Sequence, residues 1–353
     1  MTQDLLRLSI SITLAAMTVF GAADSTAAEP SLSPAPGGTF SIVVIPDTQG
    51  YRGRGTKAQP DSTDEVTNPV FDAYSAWISA NAESQGIAFV SHVGDIVDKN
   101  VSDQWALART FMDRFHGRIP YGISVGNHDM TGSGDSSLFQ TVFPAARFSG
   151  FPWYGGAFED TGTALAISGN NANSFQLFSA EGLDFVFVHL ECNAPDSVLA
   201  WVDGVFEKHA DRRGLVTTHM GLGPRDKPKG ARDYFDAPKG RMRWKKRHGK
   251  RGNTPQQMWD KCFRKHKNLA FIFCGDQSRT QALRQISQGD HGNPVHELLS
   301  DYGSAGFRIY RFAPKKNLVH VFTYNPRSDG LCSGTRVVPD RDQHQFTLEY
   351  GMQ

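Results

Sequence analysis

The sequence predicts an α/β fold with a largely parallel sheet and crossover helices. Three features of the 353-residue chain lead to this prediction. Apolar runs typical of buried strands alternate with stretches that carry apolar residues at helical spacing. Five of the apolar runs end in Asp, Asn, Gln or His. These polar positions extend from residue 47 to residue 276, which favours one large domain although the length could hold two.

The first 28 residues are predicted to be a secretory signal peptide. Their apolar segment, LSISITLAAMTVFGAA, has 16 residues, fewer than the roughly 20 that a helix needs to span a bilayer. Small residues precede a cleavage site expected near Ala28; a retained membrane anchor is the alternative. We therefore expect a secreted or periplasmic protein with no membrane span in the mature chain. Residues 29–38, EPSLSPAPGG, predict a flexible leader.

The first half of the domain predicts the order strand, helix, strand, helix, strand. The three strands are the apolar runs TFSIVVIPDTQ, IAFVSHVGD and PYGISVGNHD. The two helices are predicted from apolar residues at helical spacing, which are Val70, Tyr74, Trp77 and Ile78 in the first and Trp105, Leu107, Phe111 and Phe115 in the second.

The second half begins with a predicted long loop over residues 131–172, rich in Gly, Ser and aromatic residues. The segment NSFQLFSAEGLDFVFVHL predicts a hairpin that turns at Glu181-Gly182. A helix over 195–209, the strand GLVTTHM, a helix near 255–266 and the strand LAFIFCGDQ follow. Two alternating strands around a turn are predicted within 307–324.

The distribution of charge is more informative than the net charge. Without residues 1–28 the chain has 36 Lys and Arg against 34 Asp and Glu, or +2, which predicts no partner. Residues 225–251 hold twelve Lys or Arg against three Asp. A solvated loop is the favoured interpretation, and a positive rim that attracts an anionic substrate is the alternative. Only Tyr234, Phe235 and Trp244 interleave with these bases, so no stable nucleic-acid partner is expected.

The chain has four cysteines, Cys192, Cys262, Cys274 and Cys332. They are too few for a disulfide scaffold of this length. An exported chain could pair them in three ways, and the sequence does not choose among these. No CxxC motif occurs, so a structural zinc knuckle is not expected.

Polar residues follow five of the predicted strands where each strand ends. They are Asp47-Thr48-Gln49, Gly94-Asp95, Gly126-Asn127-His128-Asp129, His219 and Gly275-Asp276. A single Gly-Asp is most often a turn or a helix cap. In open α/β sheets, however, ligands bind beyond the carboxyl ends of the strands, where these side chains would converge. Carboxylate, amide oxygen and imidazole are suitable ligands for Mn, Fe, Zn, Mg or Ca ions.

These motifs resemble the calcineurin-like metallophosphoesterase family in order and spacing. They are PDTQ at 46–49, GDIVD at 94–98, GNHD at 126–129 and TTHM at 217–220. The most specific part is GNHD following GD by about thirty residues. The resemblance covers most of residues 40–326. A structural or adhesive module fits poorly, because it gives no reason for GNHD at a strand end.

The resemblance implies a two-sheet β-sandwich flanked by helices, with one or two divalent metal ions at one edge. We accordingly expect a metallophosphoesterase-like domain over 39–330 and a C-terminal tail over 331–353. In two-metal sites of this kind the ions lie about 3.5–4 Å apart, and a metal-bound hydroxide attacks phosphorus. The implied function is an exported, metal-dependent phosphoesterase acting on an anionic phosphate ester. A catalytically impaired protein that binds metal or phosphate on the same scaffold is the alternative.

Matching motif positions implies the roles of individual residues. Asp95 would be the bridging carboxylate, with Asp47 a ligand of the first metal and Asn127 and His219 ligands of the second. His128 would lie outside the coordination shell and protonate the leaving oxygen or stabilise phosphoryl charge. Asp129 would orient the ring of His128.

Two motifs depart from the family pattern, which has Asp-x-His first and Gly-His-x-His last. Gln49, Asp276 and Ser278 stand where the family has imidazoles. Asp276 is predicted to be a competent ligand and Gln49 a weak one, so the first metal site is depleted and the second is adequate.

Five further residues have a structural interpretation beside a functional one. His291 or His296 could compensate for a missing ligand, although a structural role is favoured. Arg279 follows the last motif and is predicted to bind the substrate phosphate, with an exposed loop arginine as the default. His92 and His189 lie within apolar strands and are expected to be hydrogen-bonded core histidines.

Overall fold

Residues 32–159 and 168–353 are described by the computed structural model; the predicted signal peptide lies outside them. The strands and helices follow in the order β1 (Phe40–Ile45), α1 (Pro69–Asn81), β2 (Ile87–His92), α2 (Ser102–Asp113), β3 (Tyr121–Ile123), α3 (Ser137–Val142), β4 (Tyr154–Ala157), β5 (Ser174–Ala180), β6 (Leu183–Leu190), α4 (Asp196–Lys208), β7 (Arg213–Thr218), β8 (Leu222–Pro224), α5 (Asp233–Asp236), β9 (Lys239–Arg241), α6 (Pro255–Lys261), β10 (Leu269–Cys274), β11 (Ala282–Gln288), β12 (Pro294–Ser300), β13 (Phe307–Ala313), β14 (Leu318–Asn325), β15 (Gly330–Leu331) and β16 (Gln345–Glu349).

Two seven-stranded sheets form the body of the fold. The first has the order β15-β14-β13-β1-β2-β3, with β16 paired to β14, and the second has the order β11-β12-β10-β7-β6-β5-β4. In the first sheet β1, β2 and β3 are parallel, and in the second β6, β7, β10 and β12 are parallel. The two-sheet, helix-flanked architecture is confirmed. The single, largely parallel sheet expected from the alternation alone is wrong, because antiparallel strands extend both sheets.

Alternation along β1 places its side chains in two different layers. Phe40, Ile42 and Val44 belong to the buried cluster between the two sheets. Val43 and Ile45 belong to the cluster that packs under α1 and α2. Successive side chains of a strand point to opposite faces, so a strand covered on both faces reads as a continuous apolar run. This explains why β1 shows no polar alternation.

The hairpin between β5 and β6 turns where the sequence predicts it. Glu181 and Gly182 have φ angles of 48° and 78°, and Ala180 pairs with Leu183 across the turn. Positive φ at both central residues gives the twist that matches two antiparallel strands. The predicted hairpin is confirmed.

Helix α1 is tied to the loop that follows β1. The side chain of Asn68 caps the helix, its Oδ1 accepting the Phe71 N–H at 3.0 Å. Its Nδ2 donates to the Thr48 carbonyl at 2.6 Å. One residue thus satisfies a free N–H of the first helical turn and fixes the loop that carries Asp47.

The two ends of the domain differ from the prediction. Residues 331–353, predicted to be a tail outside the domain, contain β16, which pairs with β14. Leu348 and Met352 are buried in the cluster between the sheets. In the predicted flexible leader, the Ala35 N–H donates to the Ser84 carbonyl at 2.8 Å. Neither end is separate from the body, because each supplies backbone or apolar contacts to it.

Other predictions concern the loop, the cysteines and the membrane. The long loop over 131–172 contains α3 and β4 within its described part. All four cysteines are free thiols. No helix of the described ranges combines the length and the apolar character that crossing a bilayer requires.

His189 is a core histidine, as predicted. It is fully buried, and its Nε2 lies 3.0 Å from the Ser91 hydroxyl. Burial lowers the pKa of His189 to about 3.

This depressed pKa predicts acid sensitivity of the fold. Between pH 6.5 and about 3 the unfolded chain binds a proton at His189 that the folded chain does not, so stability falls as the pH falls. We expect His189→Asn to flatten the pH dependence of the free energy of unfolding between pH 6.5 and 4.5, measured by urea denaturation. The exposed His291→Asn serves as control and should keep the full slope. Identical slopes in all three proteins would contradict the prediction.

Candidate metal centre

The polar strand ends of the two sheets meet at one edge of the sandwich. The first sheet contributes Asp47 after β1, Asp95 after β2 and Asn127 with His128 after β3, and the second contributes His219 after β7 and Asp276 after β10. One ligand atom from each of Asp47, Asp95 and His219 lies within 4.8 Å of the other two. Parallel strands present their carboxyl ends at the same edge, which is why residues so distant in sequence converge.

Glycines in these motifs make room for the ligand side chains. A Cβ on Gly126 would lie 2.2 Å from Oδ1 of Asp95, and a Cβ on Gly275 would lie 2.2 Å from Oδ1 of Asp47. No side chain fits at such distances. The Gly-Asn and Gly-Asp pairs therefore serve the centre, because the loops approach one another too closely for any other residue.

Asp95 lies at the middle of the centre. Its Oδ2 accepts hydrogen bonds from Gln49 Nε2 at 2.6 Å and Asn127 Nδ2 at 3.1 Å. Its Oδ1 accepts the His128 N–H at 2.7 Å and lies 3.1 Å from Nε2 of His219. Burial alone would raise the pKa of Asp95, but His219 holds it below its ordinary value. The group is therefore a carboxylate that several loops share.

His219 turns Nε2 towards this carboxylate. Its Nδ1 lies 3.0 Å from the Val93 carbonyl, which fixes the proton on Nδ1. Its Nε2 then faces Oδ1 of Asp95 and, at 3.4 Å, Oδ1 of Asp276. Burial disfavours the imidazolium, yet Asp95 and Asp47 raise the pKa of His219 well above its ordinary value. A proton on Nε2 or a bound cation would therefore balance the negative charge between these atoms.

The residues fit a divalent metal ion. Oδ1 of Asn127 is buried and has no hydrogen-bond partner within the described residues, and Nε2 of His219 faces only the carboxylate oxygens of Asp95 and Asp276. A buried acceptor without a partner costs free energy, and a metal would satisfy both. Carboxylate, amide and imidazole donors with a backbone carbonyl orienting the imidazole form a recognised N/O ligand set.

Lys246 is a residue of the centre that sequence analysis missed. Its Nζ forms an ion pair with Oδ1 of Asp276, whose side chain is only 1% exposed. Burial would raise the pKa of Asp276, but Lys246 and His219 lower it. The basic segment was predicted to be a solvated loop, and this is wrong for its second half. Charge density was its only signal, and that does not identify which lysine turns inward.

The backbone around Lys246 is anchored to the core. The N–H groups of Lys246 and Arg247 donate to Oδ1 of Asn193 at 2.9 and 3.2 Å. Nε of Arg247 donates to the Asn127 carbonyl at 2.9 Å, so the segment also supports the GNHD loop. Trp244 is 8% exposed, and the Lys246 ammonium lies 5.8 Å from its ring centroid. These contacts hold Lys246 in place.

His128 stands at the rim of the centre. Its Nδ1 lies 2.7 Å from the Asp98 carbonyl and 2.8 Å from Lys57 Nζ. Its Nε2 is 4.0 Å from Oδ2 of Asp95, and its side chain is 27% exposed. Lys57 also forms an ion pair with the Asp98 carboxylate at 3.1 Å. Neither Lys57 nor Asp98 was singled out by the sequence.

Asp129 does not have the contact predicted for it. Its Oδ1 accepts the N–H groups of Ile96 and Val97 at 2.9 and 3.1 Å. Its Oδ2 accepts the Gly126 N–H at 2.7 Å. The carboxylate therefore joins the GD loop to the GNHD loop, and the ring of His128 is held by other groups. The orienting role is wrong because backbone donors occupy both oxygens.

The region of the predicted first metal lies beside Asp47. The Asp47 carboxylate accepts the Asp276 N–H at 3.2 and 3.3 Å. Burial and Asp301 raise the pKa of Asp47 well above its ordinary value. A cavity of about 390 Å³ opens here, and its lining includes Asp47, Gln49, Ser278 and Asp301. Asp301 was not among the predicted site residues, since it follows a strand without a Gly-Asp signal.

The remaining candidates lie away from the ligands. The guanidinium of Arg279 is exposed and lies 5.0 Å from the ring centroid of Tyr234. Nε2 of His291 faces the Lys265 carbonyl at 3.1 Å. Nε2 of His296 faces the Glu349 carbonyl, also at 3.1 Å. The two histidines are structural, as favoured from the sequence, and the substrate contact of Arg279 stays a prediction.

A curated relative and several solved structures resemble this chain. It is 27% identical over 325 residues to the uncharacterized protein YvnB of Bacillus subtilis, covering 88% of this chain and 22% of that protein. The chain thus spans under a quarter of that relative's length. A dimetal phosphatase from Danio rerio has a TM-score of 0.48 and 11% identity, with 88% and 99% of the two chains covered. The 5'-nucleotidase precursor of Thermus thermophilus has a TM-score of 0.42 and 12% identity, covering 83% and 53%.

The family assignment comes from the sequence profile that contains the motifs of the centre. The profile of the calcineurin-like phosphoesterases matches residues 40–253, which includes PDTQ, GDIVD, GNHD and TTHM. The resemblance predicted from these motifs is confirmed. With this match over more than half of its length, and with the strand ends converging as described, the chain belongs to the calcineurin-like phosphoesterase family.

Proposed function

We propose that this protein is an exported, metal-dependent phosphoesterase that hydrolyses a phosphate ester. The observation that carries the proposal is the cluster of Asp47, Asp95 and His219, whose ligand atoms lie within 4.8 Å of one another, beside the buried and unpartnered Oδ1 of Asn127. Export rests on the signal-peptide pattern of residues 1–28.

The proposed ligands divide between two positions. The second position takes Asp95, Asn127, His219 and Asp276. The first takes Asp47 and Asp95, with the weaker Gln49. When bound, divalent ions would supply Lewis-acid activation of a water molecule and of the phosphoryl oxygens. The proposed ions are Mn, Fe, Zn, Mg or Ca.

His128 is the proposed proton donor to the leaving oxygen. With Nδ1 engaged by the Asp98 carbonyl, Nε2 faces the centre and lies 4.0 Å from Asp95. A ring that is partly exposed and bonded on its far side is positioned to exchange a proton with a bound ester. His128 is thus assigned to proton transfer and not to metal binding.

Positive charge from this chain surrounds the place of the phosphate. Lys246 enters from the basic segment and Lys57 from the loop after β1. Preorganised cations stabilise the charge of a phosphoryl group in a site that excludes water. Arg279 is proposed as a further contact from the exposed rim. These groups favour an anionic substrate.

A second function, binding without turnover, is favoured by one observation. Gln49 turns its amide nitrogen to Asp95 as a donor at 2.6 Å, whereas a metal ligand would present an oxygen. A protein that binds one metal or a phosphate on the same scaffold would also explain this.

Metal analysis together with hydrolysis separates the two functions. After reconstitution with Mn²⁺ and removal of excess ion, we expect at least one equivalent of metal per chain and hydrolysis of p-nitrophenyl phosphate or of its bis ester. Addition of EDTA should abolish turnover, and His219→Ala should lower the metal content. Less than a tenth of an equivalent would overturn the proposal, and metal without hydrolysis of either ester would favour the binding function.

A further inference from the structure

The carboxylate of Asp301 lies beside the metal centre although it belongs to none of the recognised motifs. It follows β12, which pairs in parallel with β10 in the register Cys274 to Leu299. Asp276 is two residues beyond Cys274 and Asp301 is two residues beyond Leu299. The register therefore carries both carboxylates to the same edge of the second sheet.

The side chain of Asp301 is buried without a partner. The residue is 3% exposed and lines the same cavity as Asp47 and Gln49. Its N–H donates to the Gln281 carbonyl at 2.8 Å, but no hydrogen bond or ion pair reaches its carboxylate from the rest of the described chain. A buried, unpaired carboxylate is costly. Burial and Asp276 accordingly raise its pKa to about 7.

The first metal position lacks the ligand that Asp301 would supply. Gln49 is only a weak ligand and turns its nitrogen to Asp95, and Ser278 is exposed. Asp47 and Asp95 alone give two carboxylates, fewer than a stable divalent site requires. A carboxylate facing the cavity from the opposite sheet adds both charge and oxygen donors.

We propose that Asp301 is a ligand of the first metal position, where it takes the place of the imidazoles replaced by Gln49 and Ser278. This inference rests on the proposed function, because it assigns a residue to the same centre. A shell that includes the carboxylates of Asp47 and Asp301, which line one cavity, is rich in oxygen. It therefore selects Mn²⁺, Mg²⁺ or Ca²⁺ over softer ions at this position.

Calorimetric titration of Mn²⁺ into the metal-free protein tests the assignment. The unaltered protein should bind two equivalents, and Asp301→Asn should lose one of them or bind it at least tenfold more weakly. His219→Ala should instead weaken the other equivalent. Asp290→Asn removes an exposed carboxylate that pairs with Arg264 and should match the unaltered protein. The inference would be overturned if Asp301→Asn bound both equivalents with the same affinities as the unaltered protein. It would also be overturned if the unaltered protein bound only one equivalent.

Thermal unfolding gives an independent readout. Without metal, Asp301→Asn should melt at or above the temperature of the unaltered protein, since it removes an unpaired buried charge. The rise in melting temperature on adding Mn²⁺ should be smaller in the variant. If Asp301 were instead neutralised by Arg327, which lines the same cavity, metal-free Asp301→Asn and Arg327→Gln would both be destabilised, and the inference would fail.

Failure of the Asp301 ligand assignment can be distinguished from failure of the proposed function. If the unaltered protein binds two equivalents through Asp301 but hydrolyses no ester, the function fails and the ligand assignment stands. If it hydrolyses an ester while Asp301→Asn binds Mn²⁺ normally, only the ligand assignment fails.

Discussion

Replacing His128 with alanine is expected to lower kcat by roughly 10²–10⁴-fold while leaving the metal content unchanged. Nδ1 of the ring contacts the Asp98 carbonyl and Lys57, and Nε2 lies 3.5 Å from Lys57 Nζ and 4.0 Å from Oδ2 of Asp95. Removing the ring therefore removes a proton donor without removing a metal ligand. The hydrogen bond that the backbone N–H of His128 donates to Asp95 is kept in the variant, because it does not involve the side chain.

Steady-state kinetics and elemental analysis on the same preparation check this result. An ester with a good leaving group, such as p-nitrophenyl phosphate, needs less protonation of the leaving oxygen. The decrease in kcat caused by His128→Ala should therefore be smaller for this ester than for an alkyl phosphate. Asp129→Asn provides a contrast, because Asp129 holds backbone donors of two loops. That variant should unfold at lower temperature. Parallel loss of metal and activity in His128→Ala would show that the ring is a ligand.

Lys246→Met is expected to lower kcat/KM by about 10²–10³-fold and to raise the affinity for metal. The first effect follows because a preorganised cation near the transferred phosphoryl group is typically worth this much. The second follows because the Lys246 ammonium is paired with Asp276 and competes with a metal for that carboxylate. Methionine keeps the length of the side chain and its packing near Trp244 while removing the charge.

Lys227→Met is the matched control for Lys246→Met. Lys227 belongs to the same basic segment but lies in its exposed half, so only long-range attraction should be lost. Its effect on kcat/KM should be small and should vanish at high salt, whereas that of Lys246→Met should persist. Lower metal affinity in Lys246→Met would contradict the competition between ammonium and metal. Equal effects of the two variants on kcat/KM would indicate that the whole basic segment is a solvated rim.

Some parts of the candidate metal centre are encoded by local sequence. The strands that precede Asp95 and His219 are largely buried, and each ends within three residues of its polar residue. Gly126 and Gly275 are fixed by the space around neighbouring carboxylates, and the sequence shows this as Gly before a polar residue. The hairpin at Glu181-Gly182 is similarly local, since two adjacent residues with positive φ define it.

Other parts depend on contacts between distant segments. Asp129 was predicted to orient its neighbour, but its oxygens face the backbone of Ile96, Val97 and Gly126. In the sequence Lys246 does not differ from the other basic residues of its segment. Its position is set by the hydrogen bond from its backbone N–H to Asn193. In each case no local signal marks the contact, because at least one partner lies in another loop.

The sequence by itself determined the alternation of strands and helices with polar residues after the strands, the family, and the core of the proposed ligand set, which is Asp95, Asn127 and His219. Only the tertiary structure decided that Lys246 and Asp301 share that edge and that residues 331–353 complete a sheet. The physical reason is that periodicity and turn chemistry act over a few residues. Pairing of β12 with β10, and of β16 with β14, is fixed by register and by packing between the sheets, which no single segment contains.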